Sequence, residues 1–491
     1  DNVAGDPGHA GARSAMRGLL KERQAEAKAV KGVHEAAAPD PDGTRPNVLL
    51  IAIDDLNDWV GCLEGHPDTR TPNIDRLADR GVLFTNAHCQ APICNPSRTS
   101  IMYGLRPSTS GVYDNQPFPW KVPALGGRVT LPRHFAASGY HTLTTGKIYH
   151  ASGLPPGDFD EVGPRPGQRL AIDRRIIPES PDGARGLWDF GPQDCDERHF
   201  QDHADASWAI ERLKEKRSKP FFMAVGFYRP HVPLYAPGRI FDGLPENEVD
   251  LPAVRDGDRD DVPSIAAEVI ASPHSPDHEW FVESGNWRKA VRAYLACVRF
   301  TDEQVGRLLE ALDASPHADN TIVVLYSDHG FFLGEKRHWA KRALWERATR
   351  VPLIVSAPGI PAGGVCHRPA ELLGLYPTLA ELCGLPDPEG VDGVSMVPLL
   401  DDPQAEWERP ALTTQGRNNH SIRTERYRYT RYRDGSEELY DHETDPNEWT
   451  NLAGDPAYRE LKLKLSGWLP GANAAPAGGS KPRREPKSPG R

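Results

Sequence analysis

Apolar residues fall in short, nearly unbroken runs separated by stretches with helical spacing. This alternation predicts an α/β fold, with a large mostly parallel sheet flanked by helices. The first run, 47–53, is apolar from Val48 to Ile53, as in a strand covered on both faces, and it stops abruptly at Asp54 and Asp55. In TPNIDRLADRG, Thr71 can cap a helix, Pro72 suits its first turn, Ile74, Leu77 and Ala78 share a face, and Gly81 ends it. Further strands are predicted at 142–145, 221–227, 321–326 and 352–355, with a long amphipathic helix over 289–312. Past 409 the pattern shortens to period two, in SIRTERYRYTRYR and then EELYDHETDP, which predicts a smaller C-terminal antiparallel-sheet subdomain.

The ends differ from this middle. Residues 1–45, rich in Ala, Lys, Glu and Gly, show helical spacing only near 16–30 and read as an N-terminal arm. Residues 471–491 are mostly Pro, Gly, Lys and Arg and cannot bury enough apolar surface to offset ordering, so a disordered tail is expected. Between them lie a catalytic domain at 46–408 and the subdomain at 409–470. No repeat of 20–50 residues points to a solenoid or propeller.

Composition narrows the function. A formal net charge of -11 argues against wrapping nucleic acid, so an anionic substrate needs a local basic pocket. The 45 glycines and 47 prolines predict many loops. No apolar run reaches the roughly 18 residues of a membrane span, and the first residues lack the basic and apolar regions of a signal peptide. The seven cysteines contain no C-x-x-C pair, which disfavours zinc and a redox dithiol. Cys366 and Cys383 could pair in an oxidising compartment, or stand as buried thiols.

In open α/β sheets ligands gather at the carboxyl ends of strands. Four runs end there in polar residues: Asp54 and Asp55, Lys147 and His150, His231, and Asp328 and His329. Three carboxylates and an imidazole together would repel without a cation, and oxygen-rich ligands favour a hard ion such as calcium. Cys94 opens CNPSRTSIMYGLRP, where Pro96 suits the first turn of a helix. The cysteine would then sit at a positive helix N-terminus, with Arg98 one turn along. A structural thiol or a cysteine-hydrolase nucleophile fits the same spacing.

Cys94, Pro96, Ser97 and Arg98 match the C-x-P-S-R signature, and the chain resembles the formylglycine-dependent (type I) sulfatase family, whose scaffold is alkaline-phosphatase-like. The likeness runs from about Arg45 to Ala453 through RPNVLLIAIDDL, GKIYH, SDHGFFLGE and ELYDHETDP. Lys147-x-x-His150, RPHVP around His231, HWAK ending in Lys341, and SIRTERYRYT resemble the iduronate-2-sulfatase type. The resemblance implies that a maturation enzyme converts Cys94 to formylglycine, whose hydrate supplies the attacking oxygen. It implies that Asp54, Asp55, Asp328 and His329, with the modified Cys94, hold calcium (Ca2+). Arg98, Lys147 and Lys341 would then supply positive charge to the hydrate and sulfuryl oxygens. His231 would protonate the leaving oxygen and His150 orient the hydrate, with the two roles exchangeable, while Asp328 could take the hydrate proton.

The function this implies is removal of sulfate from a sulfated carbohydrate, such as a 2-O-sulfated uronic acid in a glycosaminoglycan or algal polysaccharide, outside the cytoplasm in a secreted or periplasmic setting, or in a lysosome-like compartment of a eukaryote. His420 and Arg423 are candidate sugar contacts, while most C-terminal arginines belong to a solvated sheet face. Loops at 153–189 and 244–277 would set regiochemistry. Two other readings stand beside this one: a phosphomonoester or phosphonate-monoester hydrolase on the same scaffold, and a catalytically silent binder of sulfated glycan.

Overall fold

A computed structural model describes residues 45–150, 153–164, 175–181, 187–271 and 275–478. The helical spacing near 16–30 and the last 13 residues lie outside them. The sheet is built from β1 (Asn47–Ile53), β2 (Val82–Phe84), β3 (His141–Gly146), β4 (Glu161–Val162), β5 (Phe221–Phe227), β6 (Thr321–Ser327), β7 (Leu353–Ser356) and β8 (Gly364–Cys366). Its order is β8-β2-β7-β6-β1-β5-β3-β4. Only β7 runs against the others, pairing antiparallel with both β6 and β2, so the sheet is mostly parallel as expected.

Burial of β1 on both faces follows from its sequence. Leu49, Ile51 and Ile53 join one apolar core, Val48, Leu50 and Ala52 the other, and every one of them is 0 % exposed. The first core packs beneath α1 (Pro72–Asp79), α3 (Gln201–Leu213) and α4 (Trp287–Asp313). The second packs beneath α2 (Cys94–Tyr103) and α5 (Leu375–Leu382). Thr71 does not cap α1. Its hydroxyl takes the Gly61 N–H at 2.7 Å, while Asp302 on α4 accepts the Asn73 and Ile74 N–H groups at 3.1 and 2.8 Å.

The C-terminal residues form the antiparallel sheet β9 (Ala411–Thr414), β10 (His420–Arg423), β11 (Tyr427–Arg431) and β12 (Glu437–Asp441). Leu465 of α6 (Arg459–Ser466) packs on Leu412, Ile422, Tyr429 and Leu439 from this sheet. Residues 471–478, which composition assigns to the tail, lie along the one-turn helix Pro107–Ser110 that follows α2. There Ala474 N–H bonds Ser108 O at 2.8 Å and Ala477 N–H bonds Gly111 O at 2.9 Å. All seven cysteines are free thiols, Cys366 and Cys383 among them. No helix of the described residues is long and apolar enough to cross a membrane.

Candidate active site

The order β6-β1-β5-β3 sets four parallel strands side by side, so their carboxyl ends share one edge. Asp54 and Asp55 leave β1, Asp328 and His329 leave β6, Lys147 leaves β3, and Tyr228 and His231 follow β5. Asp55 has φ 63, a left-handed turn that carries the chain off the strand end, and its N–H donates to Asp328 Oδ1 at 3.2 Å. Two glycines let Lys147 approach. A Cβ on Gly226 would lie 2.2 Å from Lys147 O, and one on Gly146, at φ +71, would lie 1.9 Å from Gly226 O. Cys94 begins α2, and Ser97 Oγ anchors that helix by donating to Asp328 O at 2.5 Å. Lys341 is folded back by a two-stranded ladder pairing Phe332 with Ala340 and Leu333 with Trp339.

The ten residues expected at the site all converge. Cys94 Sγ lies 3.2 Å from Lys341 Nζ, 3.3 Å from His329 Nε2 and 3.8 Å from Lys147 Nζ, and His150 is close enough to help hold the thiol down. Arg98, 1 % exposed, donates from Nε to Asp328 Oδ2 at 2.7 Å and from Nη2 to Asp54 Oδ1 at 3.1 Å. Its Nη1 bonds the carbonyls of Lys147 and Ile148. Lys147 pairs with Asp54, and Lys341 with Asp55 Oδ1 at 2.6 Å. His231 Nε2 stands 3.9 Å from Asp55 Oδ2.

These charges tune one another. Burial pushes the Cys94 thiol up, but Lys147, Lys341 and His329 outweigh it and hold the group well below the ordinary thiol range. Burial also raises Asp54, yet Lys147 and Arg98 bring it below the usual carboxylate value. Asp328 has Arg98 and His329 beside it and stays raised by burial. For His231, burial opposes charging, while Tyr228 and Asp55 overcome it and lift the imidazole to about 9. Its Nδ1 lies 2.6 Å from Val232 O, which fixes Nδ1 as a donor and leaves Nε2 for the second proton.

Repulsion among the carboxylates does not by itself demand a metal, which revises the expectation from sequence: Arg98, Lys147 and Lys341 already neutralise Asp54, Asp55 and Asp328. Two observations still fit one. Asp55 Oδ2 is fully buried without a hydrogen-bond partner, and Asp54, Cys94, Asp328 and His329 offer donor atoms within 4.8 Å of one another. His329 Nδ1 lies 3.0 Å from Gly330 O, which leaves the Nε2 lone pair facing inward as in a supported metal ligand. A divalent cation would turn a neutral pocket net positive, as an anionic ester requires.

The structure sets the two candidate sugar contacts apart from the ten-residue site, and sequence reasoning overlooked three residues. His420 is buried against Thr414, Nδ1 to Oγ1 at 2.9 Å, and burial lowers it to about 4. Arg423 pairs with Glu346 at 3.0 Å and lines a separate cavity of about 620 Å³, which none of the ten site residues lines. Tyr228, whose ring lies 4.9 Å from His231 and 5.0 Å from Lys147 Nζ, directly follows an apolar run, and the strand-end rule could have found it. Asp202, on α3, accepts the N–H groups of Tyr228 and Arg229 at 2.6 and 2.9 Å and so holds the segment that carries His231. Asn95 ties the 114–117 turn to α2, donating to the carbonyls of Asp114 and Pro117 at 2.9 and 3.0 Å. Nothing in sequence spacing signals either of these.

A family model described as Sulfatase matches residues 46–385, and one described as N-sulphoglucosamine sulphohydrolase, C-terminal, matches 334–473. A sulfatase of Formosa agariphila is 42 % identical over 443 residues, 88 % of this chain and 87 % of its own. The iduronate 2-sulfatase of Homo sapiens is 34 % identical over 394 residues, covering 70 % of each chain. Among solved structures, a 2-O GAG sulfatase superposes with a TM-score of 0.66 at 25 % identity, over 86 % of this chain and 90 % of that one.

Proposed function

The chain belongs to the sulfatase family, and from that premise we propose that it removes sulfate from a sulfated, uronate-containing carbohydrate, using a formylglycine made from Cys94 beside a calcium ion. The observation that carries this reading is the placement of Cys94 Sγ within 3.8 Å of two lysines and a histidine at the edge that also holds three buried aspartates. The iduronate 2-sulfatase likeness supports a 2-O-sulfated uronic acid as the group cleaved. Formylglycine would supply the nucleophilic oxygen. Calcium, held by Asp54, Asp55, Asp328, His329 and the modified Cys94, would polarise a sulfate oxygen.

The other side chains divide the work. Lys147 and Lys341 flank the Cys94 position and neutralise sulfate oxygens as charge moves toward the leaving group. Arg98 gives four of its five N–H donors to two carboxylates and two carbonyls, so its main work is to fix the ligand aspartates. His231, protonated at neutral pH, donates its Nε2 proton to the departing sugar oxygen. His150, half-buried beside Cys94, orients the nucleophile. Such polymers lie outside the cytoplasm, so we place the enzyme in a secreted or periplasmic setting, matured by a formylglycine-generating enzyme.

Sulfate release from defined oligosaccharides, with aryl, choline and phosphate monoesters as controls, tests the reading. We expect turnover of a terminal 2-O-sulfated uronate. Turnover confined to aryl or choline esters sinks the carbohydrate, and phosphate turnover above sulfate turnover sinks the ester class. Mass spectrometry of the Cys94 peptide checks the modification. Elemental analysis, with a calcium-dependent rise in melting temperature, checks the ion independently of activity.

A further inference from the structure

We infer that Phe118 and Trp120 form a sugar-stacking platform that receives the pyranose ring next to the sulfated residue, an inference that rests on the carbohydrate reading above. The two rings stack at 5.0 Å with their planes 19° apart, and both are half-buried at the surface. His150 links the platform to the reacting centre. It lies near enough to Cys94 to lower that thiol, and its ring centre is 6.3 Å from that of Phe118. One sugar ring spans about that distance, so a ring whose sulfate reaches Cys94 passes its neighbour onto Phe118.

The platform is preorganised. Trp120 is held edge-on by buried Tyr149 at 5.9 Å, and a Cβ on Gly153 would lie 2.6 Å from its ring. The turn leading to Phe118 is fixed from inside by Asn95 and from outside by Arg342, which donates to Asp114 Oδ1 at 2.9 Å. Stiff aromatic rings bind with little entropy to lose, and their faces suit the C–H surface of a pyranose. Lys121, exposed, has its ammonium 5.7 Å from the Phe118 ring centre. A surface cation–π contact of that kind is weak, so the side chain can turn toward a carboxylate on the arriving sugar.

The test compares a sulfated monosaccharide with the disaccharide that extends it, in the mature enzyme and in Phe118→Ala and Phe118→Trp. In the native enzyme the second ring should raise kcat/KM by about tenfold, mainly through KM. Phe118→Ala should abolish that gain and leave the monosaccharide within about twofold, while Phe118→Trp should keep it. Equal losses on both sugars, or an undiminished gain in Phe118→Ala, overturn the platform. If the native enzyme hydrolyses neither sugar, the carbohydrate reading fails. Calorimetry with the unsulfated disaccharide then decides the platform alone: binding weakened by Phe118→Ala retains it, and unchanged or undetectable binding overturns it.

Discussion

At the residue scale the site separates charges that hold it together from charges that face a ligand. Arg98 is 1 % exposed between Asp54 and Asp328, and breaking a buried pair on one side leaves ions with no partner. Arg98→Ala should therefore cost about 3–5 kcal/mol of stability, read as a large fall in melting temperature. Lys341 is 15 % exposed at its side chain. Lys341→Ala also strips buried Asp55 of a partner, so it should lose some stability, though less than Arg98→Ala, while kcat for sulfate release falls about 10²–10³-fold. A second buried acid gives a pH signature. Asp205 takes Thr145 Oγ1 and Gln201 Nε2 on one oxygen, has no partner on the other, and is raised by burial to about 7. Between about pH 4 and 7 the folded state keeps a proton that the unfolded chain has lost, so stability falls as pH rises through that window, by at most about 1.4 kcal/mol per unit. Asp205→Asn should remove this slope from a pH series of denaturant melts. The ten site residues were legible in sequence because each follows an apolar run or sits in a recognisable motif. Arg423 was not: alternation marks its face of the strand, while Glu346, which claims it, lies 77 residues away.

At the element scale, strands covered on both faces were the easiest to read, because their runs have no polar position. The interval 47–53 is β1 to the residue, whereas 142–145 became His141–Gly146 and 352–355 became Leu353–Ser356. Caps were harder. Thr71 has the right chemistry for a cap, yet the Asp302 carboxylate, 229 residues beyond Asn73, takes the place. Asp302→Ala should orphan the Asn73 and Ile74 N–H groups at a cost of about 1–3 kcal/mol, with turnover per folded molecule unchanged. The glycines between β3 and β5 predict the converse. In Gly226→Ala the new methyl meets the Lys147 carbonyl, a backbone atom that cannot yield cheaply. Sulfate release should fall at least about tenfold alongside a loss of roughly 1–3 kcal/mol in stability.

At the scale of the whole molecule, distant parts of the chain close the site. Residues 473–478 run along Ser108–Gly111, with Tyr113 Oη donating to Ala474 O at 3.0 Å and Arg417 to Asn473 O at 3.1 Å. A chain ended after 470 should lose about 2–4 kcal/mol in a thermal melt relative to the full chain. Composition concealed this strap, since its anchors are backbone groups that any residue supplies. The burial of Cys94 has a consequence in time. The native thiol is 1 % exposed, so the oxidation to formylglycine proposed above would have to precede closure of the chain. Closure waits on His329 and Lys341, which emerge 235 and 247 residues later. At about 5–20 residues per second, translation alone holds that door open for roughly 10–50 s. A maturation system slower than this would leave thiol sealed inside a correctly folded but inert protein. The active fraction should then rise when synthesis is slowed, with no change in sequence.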